Sequence, residues 1–256
     1  MKNEKIYRVS VILIGLIVLF FYFKNEKVYI SKEYSSSGKL IGTNEYVLRK
    51  GEVIMHGKFV NYNGKGIKIS EGQFVDNEPN GICSYYYDNG KIKSVSYRKN
   101  SKIDLETIYY NQNGYINQYT LYDNFGKTAF IIKYNNKVVS KYNGYSLLPK
   151  GQYKIVNKKQ YETKTGDVLK VGDLIKYEYL LANTPYAKKT FKIENLGIDN
   201  TKIKRIIKKN PPTGIDVEEV LTKKGINTIR IIVQYEFNDK VTPVIKDTIS
   251  FDINVK

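Results

Sequence analysis

Apolar and polar residues alternate with a period of two along much of the chain. In KIKSVSY, residues 91–97, the two serines fall on one side of an extended chain, and Val95 and Tyr97 fall on the other. Longer runs of strand-like sequence follow residue 150: DLIKYEYLLAN, KKTFKIENLG, TIRIIVQYEF and DTISFDINVK. We therefore predict that the folded part of the chain is all-β.

A turn signal recurs in the first half of the chain. Aromatic residues are followed by a polar turn with glycine, then commonly by Lys and an alternating strand. The turn glycines are Gly38, Gly64, Gly90, Gly114 and Gly126, and the first four are spaced 24 to 26 residues apart. This regular spacing indicates an array of β-hairpins.

Three of these turns contain an Asn-Gly pair, at residues 63–64, 89–90 and 113–114. A two-residue hairpin loop of type I′ needs positive φ at both central positions, and Asn-Gly adopts this conformation at low cost. We predict type I′ turns at these pairs and a meandering antiparallel sheet between them.

The stretch EGQFVDNEPNGICSYYYDNGKIKSVSYRKN, residues 71–100, resembles the degenerate MORN-type repeat of bacterial proteins often described as antitoxin components of toxin-antitoxin systems. The matching positions are Gly72, Phe74, Asn80, Gly81, Tyr85, Tyr86, Tyr87, Asn89, Gly90 and Lys91. Weaker copies cover roughly residues 34–145. The resemblance implies a shallow, elongated sheet in which each hairpin packs on its neighbours.

The turn signal stops near Lys150, and the remainder has the strand number and length of an immunoglobulin-like β-sandwich. GINTIRIIVQYEF, residues 225–237, together with a final strand resembles the last strands of bacterial immunoglobulin-like domains. We predict a cytoplasmic tail and anchor over residues 1–27, MORN-like hairpin repeats over 28–148, and an immunoglobulin-like β-sandwich over 149–256.

The N-terminal run VSVILIGLIVLFFYF, residues 9–23, carries no charge and is flanked by basic residues. With Tyr7 it covers about 25 Å as a helix, which flanking lysines can extend to the ~30 Å of a bilayer core. We predict a single-pass transmembrane helix in the cytoplasmic membrane, with the bulk of the chain outside the cytoplasm. A cleaved signal peptide and a buried core helix are alternatives, although no small-residue cleavage site follows Phe23.

Cysteine and histidine are each represented once, by Cys83 and His56. A lone thiol and a lone imidazole leave little for nucleophilic catalysis or a thiolate metal cluster. We therefore expect no catalytic, cofactor or metal site. A hydrolase would have to use a carboxylate pair such as Asp167 with Asp173, or Asp216 with Glu218.

The formal charge of +17 comes mainly from lysine rather than arginine. Because the planar Arg fork is preferred in nucleic-acid recognition, we do not expect nucleic acid as a partner. The densest basic run supplies a candidate patch at Lys202, Lys204, Arg205, Lys208 and Lys209. The alternative is a solvated strand edge on which lysines prevent aggregation.

The chain contains 24 tyrosines. Tyrosines on a sheet usually form cross-strand pairs, but surplus rings on a solvent face would form a binding surface. The candidates are Tyr85, Tyr86, Tyr87, Tyr109 and Tyr110. We predict a non-enzymatic, membrane-anchored interaction protein that binds a protein partner through the repeat sheet. The alternatives are a module that binds carbohydrate or another envelope polymer, an antitoxin-like protein facing the cytosol, and self-association through open sheet ends.

Overall fold

The computed structural model describes residues 26–164, 167–239 and 241–256. These residues form nineteen strands and one short 3-10 helix, Asn200–Lys202. The chain divides into two compact units, one that ends at Pro79 and one that covers Asn80–Lys256. The strands are β1 Tyr29–Tyr34, β2 Leu40–Arg49, β3 Glu52–Tyr62, β4 Lys68–Val75, β5 Glu78–Pro79, β6 Gly81–Tyr86, β7 Ile92–Arg98, β8 Asp104–Tyr110, β9 Ile116–Tyr122, β10 Thr128–Asn135, β11 Val138–Gly144, β12 Leu147–Val156, β13 Lys159–Glu162, β14 Leu174–Leu181, β15 Ala187–Asn195, β16 Arg205–Asn210, β17 Gly214–Val220, β18 Gly225–Phe237 and β19 Ile245–Val255.

The predicted fold needs correction where it includes a transmembrane helix. The described part of the chain is built from strands, and none of its residues belongs to a helix long and apolar enough to cross a membrane. The segment predicted to do so, residues 9–23, lies outside the described residues, as does the predicted tail before it. The all-β character is confirmed. The predicted domain boundaries and membrane location stay predictions.

The first unit is an antiparallel meander in the order β1-β2-β3-β4, with β5 paired to β4. Its apolar centre includes Phe59, whose ring lies 4.9 Å from that of Phe74 between centroids. At the end of β2 the Arg49 guanidinium binds the carboxylates of Glu26 and Asp76. These side-chain hydrogen bonds lower the pKa of both acids, so the start of the described chain is held to the β2–β3 hairpin.

The second unit begins with a hairpin sheet in the order β6-β7-β8-β9-β10-β11. Each strand pairs with its neighbour in the chain, and every pairing is antiparallel. One face carries a row of buried small groups in register, among them Cys83, Ser96 and Thr107, and the Ser96 and Thr107 hydroxyls hydrogen-bond at 2.8 Å. The opposite face of β9 and β10 supplies large core residues such as Tyr119 and Ile132.

Five hairpins within the described residues share one three-residue loop. At the third of them, Tyr87 N–H donates to Lys91 O at 2.8 Å and Gly90 N–H donates to Tyr87 O at 2.9 Å. This pattern is a type I turn followed by a left-handed glycine. The loops are residues 36–38, 64–66, 88–90, 112–114 and 124–126.

The predicted type I′ turns at the Asn-Gly pairs are therefore wrong. Asn89 and Asn113 do not have positive φ, and in the 64–66 loop the left-handed residue is Gly66 rather than Gly64. The loop asparagines act instead as side-chain acceptors: Asn111 Oδ1, for example, accepts from two backbone N–H groups at 3.0 Å. Pairs of left-handed residues occur elsewhere, at Lys50-Gly51, Asp76-Asn77, Asn136-Lys137 and Asn157-Lys158.

The rest of the second unit is a β-sandwich. A five-stranded sheet has the order β13-β12-β14-β17-β16, and a three-stranded sheet has the order β15-β18-β19. Their facing residues join one core that also includes β9 and β10, and the rings of Tyr177 and Phe251 meet across it at 5.5 Å. The four long strands predicted after residue 150 are confirmed as β14, β15, β18 and β19. The immunoglobulin-like and MORN-like assignments stay predictions.

A polar network joins the hairpin sheet to the sandwich within the second unit. The Tyr119 hydroxyl donates to Glu106 Oε2 at 2.9 Å and accepts from Asn183 N–H at 2.8 Å. Asn183 Nδ2 also donates to Glu106 Oε2, and Lys189 Nζ donates to Asn183 Oδ1. Burial raises the pKa of the Glu106 carboxyl and lowers that of Lys189. The two parts of this unit therefore share partly buried hydrogen bonds as well as apolar contacts.

Candidate functional site

The sandwich is open on one side, where β12 and β19 face each other. Strand β12 pairs with β14 along most of its length, but it pairs with β13 only from Tyr153 to Val156. Strand β19 ends the three-stranded sheet and pairs with β18 alone, apart from one bridge between Leu169 and Val255. Two stretches of strand edge therefore lie without a strand partner in the described part of the chain.

The gap between these two strand edges is bridged by hydrogen bonds at both ends. At one end the backbone N–H of Ser146 and its hydroxyl donate to Asp247 Oδ2, at 2.6 and 2.5 Å. At the other end Lys256 N–H donates to Leu169 O at 2.8 Å, next to the bridge with Val255. The opening between these two ties is therefore an elongated cleft.

Burial along β19 shows where the core is open. Alternate residues of this strand point inward, and they are buried at its two ends, at Ile245, Ile253 and Val255. Between them, the inward-pointing Ile249 and Phe251 are only half-buried. In a β-sandwich the inward face of a strand is normally covered by the facing sheet. The middle of β19 is not fully covered, so it presents core surface to the cleft.

The cleft has a volume of about 900 Å³. Tyr177, Tyr179 and Phe251 supply aromatic surface, and Ile249 and Ile253 add aliphatic surface. Ligand sites in proteins commonly enclose roughly 300–1,000 Å³ and are mostly apolar, with a few polar groups that orient the ligand. Further residues line the mouth and ends: Pro149, Lys150, Gly151, Gln152, Thr163, Lys164, Asp167, Val168, Leu169, Asp252, Asn254 and Lys256.

A buried ion pair lies beside the aromatic residues of the cleft. Glu219 is fully buried, and its carboxylate receives Arg205 Nη2 at 2.7 Å and Asn195 Nδ2 at 3.0 Å. The Tyr177 hydroxyl lies 3.4 Å from the same carboxylate, and burial raises its pKa well above the ordinary value. The Tyr179 hydroxyl is buried without a hydrogen-bond partner among the described residues. These tyrosines are therefore neutral at physiological pH.

The mouth of the cleft carries charges of both signs. The Asp252 carboxylate accepts the Thr228 hydroxyl at 2.6 Å, and Asp167 accepts the backbone N–H of Lys164 at 2.8 Å. By contrast, the ammonium groups of Lys164 and Lys256 make no ion pair within the described ranges. Both acids keep their negative charge, because their donors are neutral, so the mouth offers two lysines without an ion pair beside two carboxylates.

The described residues contain no group of three or more His, Cys, Asp and Glu side chains placed to hold a metal ion. The carboxylates proposed for a hydrolase have local partners. Asp173 accepts Lys154 Nζ at 2.6 Å, and Asp216 accepts Lys176 Nζ at 2.8 Å. The cleft has apolar surface, strand edges and charged side chains, and these features can bind a ligand.

The five tyrosines predicted as a binding surface are all half-buried. Tyr85 and Tyr109 lie on the same face of the hairpin sheet, each opposite Ser94 in the strand between them. Burial raises the pKa of both phenols and that of Tyr110. The Tyr87 hydroxyl donates to Tyr110 O at 2.7 Å. Tyr86 lies at the end of β6, where the register shifts. Their role in binding stays a prediction.

The predicted basic patch is divided by the structure. Arg205 points inward to Glu219, and its Nη1 also donates to Ile193 O at 2.9 Å. Lys208 and Lys209 are exposed on β16, which is the edge strand of the five-stranded sheet. Lys202 lies in the 3-10 helix, 3.7 Å from Asp199, and Lys204 lies between that helix and β16. The surface lysines remain a candidate patch without the arginine.

Sequence reasoning missed the cleft. The inward alternation of β19 was visible in the sequence, but the length over which β13 covers β12 was not. With the fold and cleft defined, the comparisons add no relative: no family model matches the chain, and no curated protein is significantly similar to it.

Proposed function

We propose that the protein is a non-enzymatic binding protein and that the cleft between β12 and β19 receives an extended segment of a partner protein. One observation carries the proposal: the inward face of an edge strand, at Ile249 and Phe251, is left half-buried beside a 900 Å³ opening. A core surface of this kind favours a ligand that completes the sandwich.

The shape of the cleft supports a peptide segment. From Ile249 to Ile253 the strand covers about 13 Å at roughly 3.3 Å per residue, which suits a segment of four or five extended residues. An extended peptide can use the free N–H and C=O groups of a strand edge and place alternate side chains in the interior. Both strand edges beside the cleft are available for such pairing in the described chain.

The charges at the mouth suggest the chemistry of the segment. Alternate apolar side chains would contact Tyr179 and Phe251, and a carboxylate near one end would meet Lys164 or Lys256. Such exposed ion pairs mainly improve the association rate and specificity. The preferred segment is therefore apolar at alternate positions and acidic at one end.

Selection from a random peptide library, followed by titration of the selected peptides, tests this proposal. Ile249→Lys places a charge on the inward face of β19 and is expected to weaken binding by more than about tenfold, because an unpaired ammonium would be buried. Thr248→Lys is the matched control, because residue 248 is exposed on the outer side of the same strand.

Amide hydrogen exchange gives the second measurement. Bound peptide should protect amides of residues 248–252 that are open in the free protein. Equal affinity for wild type and I249K, or protection confined to the hairpin sheet, would place binding elsewhere and overturn the proposal.

A further inference from the structure

The five matching loops differ in their middle residue, and the difference identifies an exposed aromatic ring. The middle positions are Ser37, Lys65, Asn89, Asn113 and Phe125. Because all five loops make the same backbone hydrogen bonds, the conformation does not require an aromatic residue there. Phe125 is 80% exposed, the most exposed of the large apolar side chains in the described residues. The ring therefore contributes little to the loop and is available for contact with a partner.

The loop that carries Phe125 is well supported. Asp123 Oδ1 accepts the N–H groups of Phe125 and Lys127, both at 2.9 Å. Gly126 is left-handed, and a Cβ placed there would lie 3.4 Å from Lys102 O in the neighbouring β7–β8 turn. The ring is therefore held at the end of the hairpin sheet by a capped loop packed against the next turn.

The surroundings of the ring are basic. Lys99, Lys102 and Lys127 are exposed at this end of the sheet, and none forms an ion pair within the described part of the chain. The nearby acids are already engaged: Asp104 pairs with Arg98 at 2.9 Å, and Asp123 caps the loop. Tyr145, 72% exposed, lies at the same end, where its N–H donates to Ala129 O.

We propose that this tip, formed by Phe125, Tyr145, Lys99, Lys102 and Lys127, docks on the surface of an anionic lipid bilayer. Aromatic rings favour the boundary between headgroups and acyl chains, and lysines beside them attract anionic headgroups. The ring projects from the tip of a loop and does not line a groove. This arrangement suits insertion into a fluid bilayer better than it suits binding to a preformed protein surface. The net charge of +17 on the chain favours the same partner. This surface is separate from the cleft.

The natural chain has no tryptophan, so a single indole can report on the tip. Phe125→Trp is compared with Asn113→Trp, which alters the equivalent position of a loop at the opposite end of the hairpin sheet. Both full-length variants are mixed with vesicles of phosphatidylcholine alone or with an equal share of phosphatidylglycerol. Emission from F125W should move to shorter wavelength and be quenched by brominated lipid only when anionic lipid is present. N113W should not respond.

A charge-matched pair completes the test. The double variant K102E/K127E should weaken the anionic-lipid response of F125W by about thirtyfold or more, since each lysine near such a surface contributes enough for roughly a fivefold effect. K91E/K137E changes the net charge equally at the opposite end and should weaken it far less. The proposal is overturned if F125W and N113W respond alike, if neutral vesicles give the same response, or if F125W shifts only when another protein is added.

Discussion

The hairpin sheet and the sandwich of the second unit satisfy their buried polar groups in different ways. Apart from Tyr119 and Glu106, which bind Asn183, the hairpin sheet has its polar partners close along the chain: Ser96 and Thr107, on neighbouring strands, share a hydrogen bond, and each loop is capped by a residue of its own turn. In the sandwich, Glu219 takes partners from both sheets, Arg205 on the neighbouring strand β16 and Asn195 on β15 of the three-stranded sheet. Damage to the hairpin sheet should therefore remain local, whereas damage to the sandwich should spread through its core.

The largest expected effect is in the sandwich. Glu219→Ala leaves the Arg205 guanidinium buried without its carboxylate, and loss of one partner of a buried pair costs about 3–5 kcal/mol. Urea denaturation should show this loss in the free energy of unfolding.

A double replacement separates lost pairing from lost packing. R205M/E219L removes both charges and should be more stable than E219A, since apolar residues of similar size often substitute well for a buried pair. If E219A unfolds with the wild-type midpoint, the hydrogen bonds of Glu219 are no more important for stability than those of the hairpin sheet, and the proposed difference between the two regions is wrong.

The next effect is expected at the boundary between the two parts. A Cβ on Gly144 would lie 2.1 Å from Ala129 O, and the residue is left-handed. Backbone strain and overpacking together should make Gly144→Ala cost about 3 kcal/mol. Gly90→Ala is the control, since Gly90 is also left-handed but has open space at its Cβ. It should cost about 1 kcal/mol by the same denaturation measurement. Equal losses would show that the close approach to β10 does not matter.

Loop capping gives a smaller, local effect. Asp123→Ala removes the acceptor of two backbone N–H groups, and we expect a loss of about 1 kcal/mol because both donors can turn to water. Amide exchange should rise at Phe125 and Lys127 while amides of β18 keep their protection. A rise in exchange across the sandwich core would contradict the local character of the hairpin sheet.

The smallest effect concerns pH. Burial raises the pKa of Glu106 above its ordinary value of 4.5, so the folded protein binds this proton more tightly than the unfolded chain does. The corresponding stability is present below that value and is lost as pH rises through the folded pKa. Glu106→Gln removes this dependence while its side-chain oxygen can still accept from Tyr119. Denaturation midpoints of wild type and E106Q should diverge above about pH 4.5, while Glu162→Gln, at an exposed site, should follow wild type.

Local pattern was enough to predict the strands but not their turn chemistry. Strand-like runs of sequence identified β14, β15, β18 and β19, whether one face of the strand is buried, as in β19, or both faces, as in β14. Local pattern could not distinguish a type I′ turn from a type I turn with a left-handed glycine, since both use Asn and Gly. At residues 64–66 two glycines compete, and only the strand register selects Gly66.

The candidate site could not be predicted from the local sequence pattern. The three consecutive tyrosines at residues 85–87 were predicted to form part of a binding surface, but their side chains are half-buried in the structure. The cleft combines β12, β14 and β19, which are far apart in the chain, and it exists because β13 stops pairing at Tyr153. Phe125 was visible in the sequence, but its exposure became informative only when five equivalent loops could be compared.

The tie between Ser146 and Asp247 has a consequence for biosynthesis. These residues are 101 positions apart, so the ribosome completes the hairpin sheet long before it makes the acceptor that fixes its C-terminal end to the sandwich. Hairpins with chain-neighbour contacts can form early, and β12 can pair with β14, but the three-stranded sheet that faces them is complete only with the last strand. A nascent chain stalled before residue 247 would therefore leave Ser146 without this acceptor and the core beneath β12 uncovered, which makes the final stretch of translation the step most exposed to chaperones and proteases.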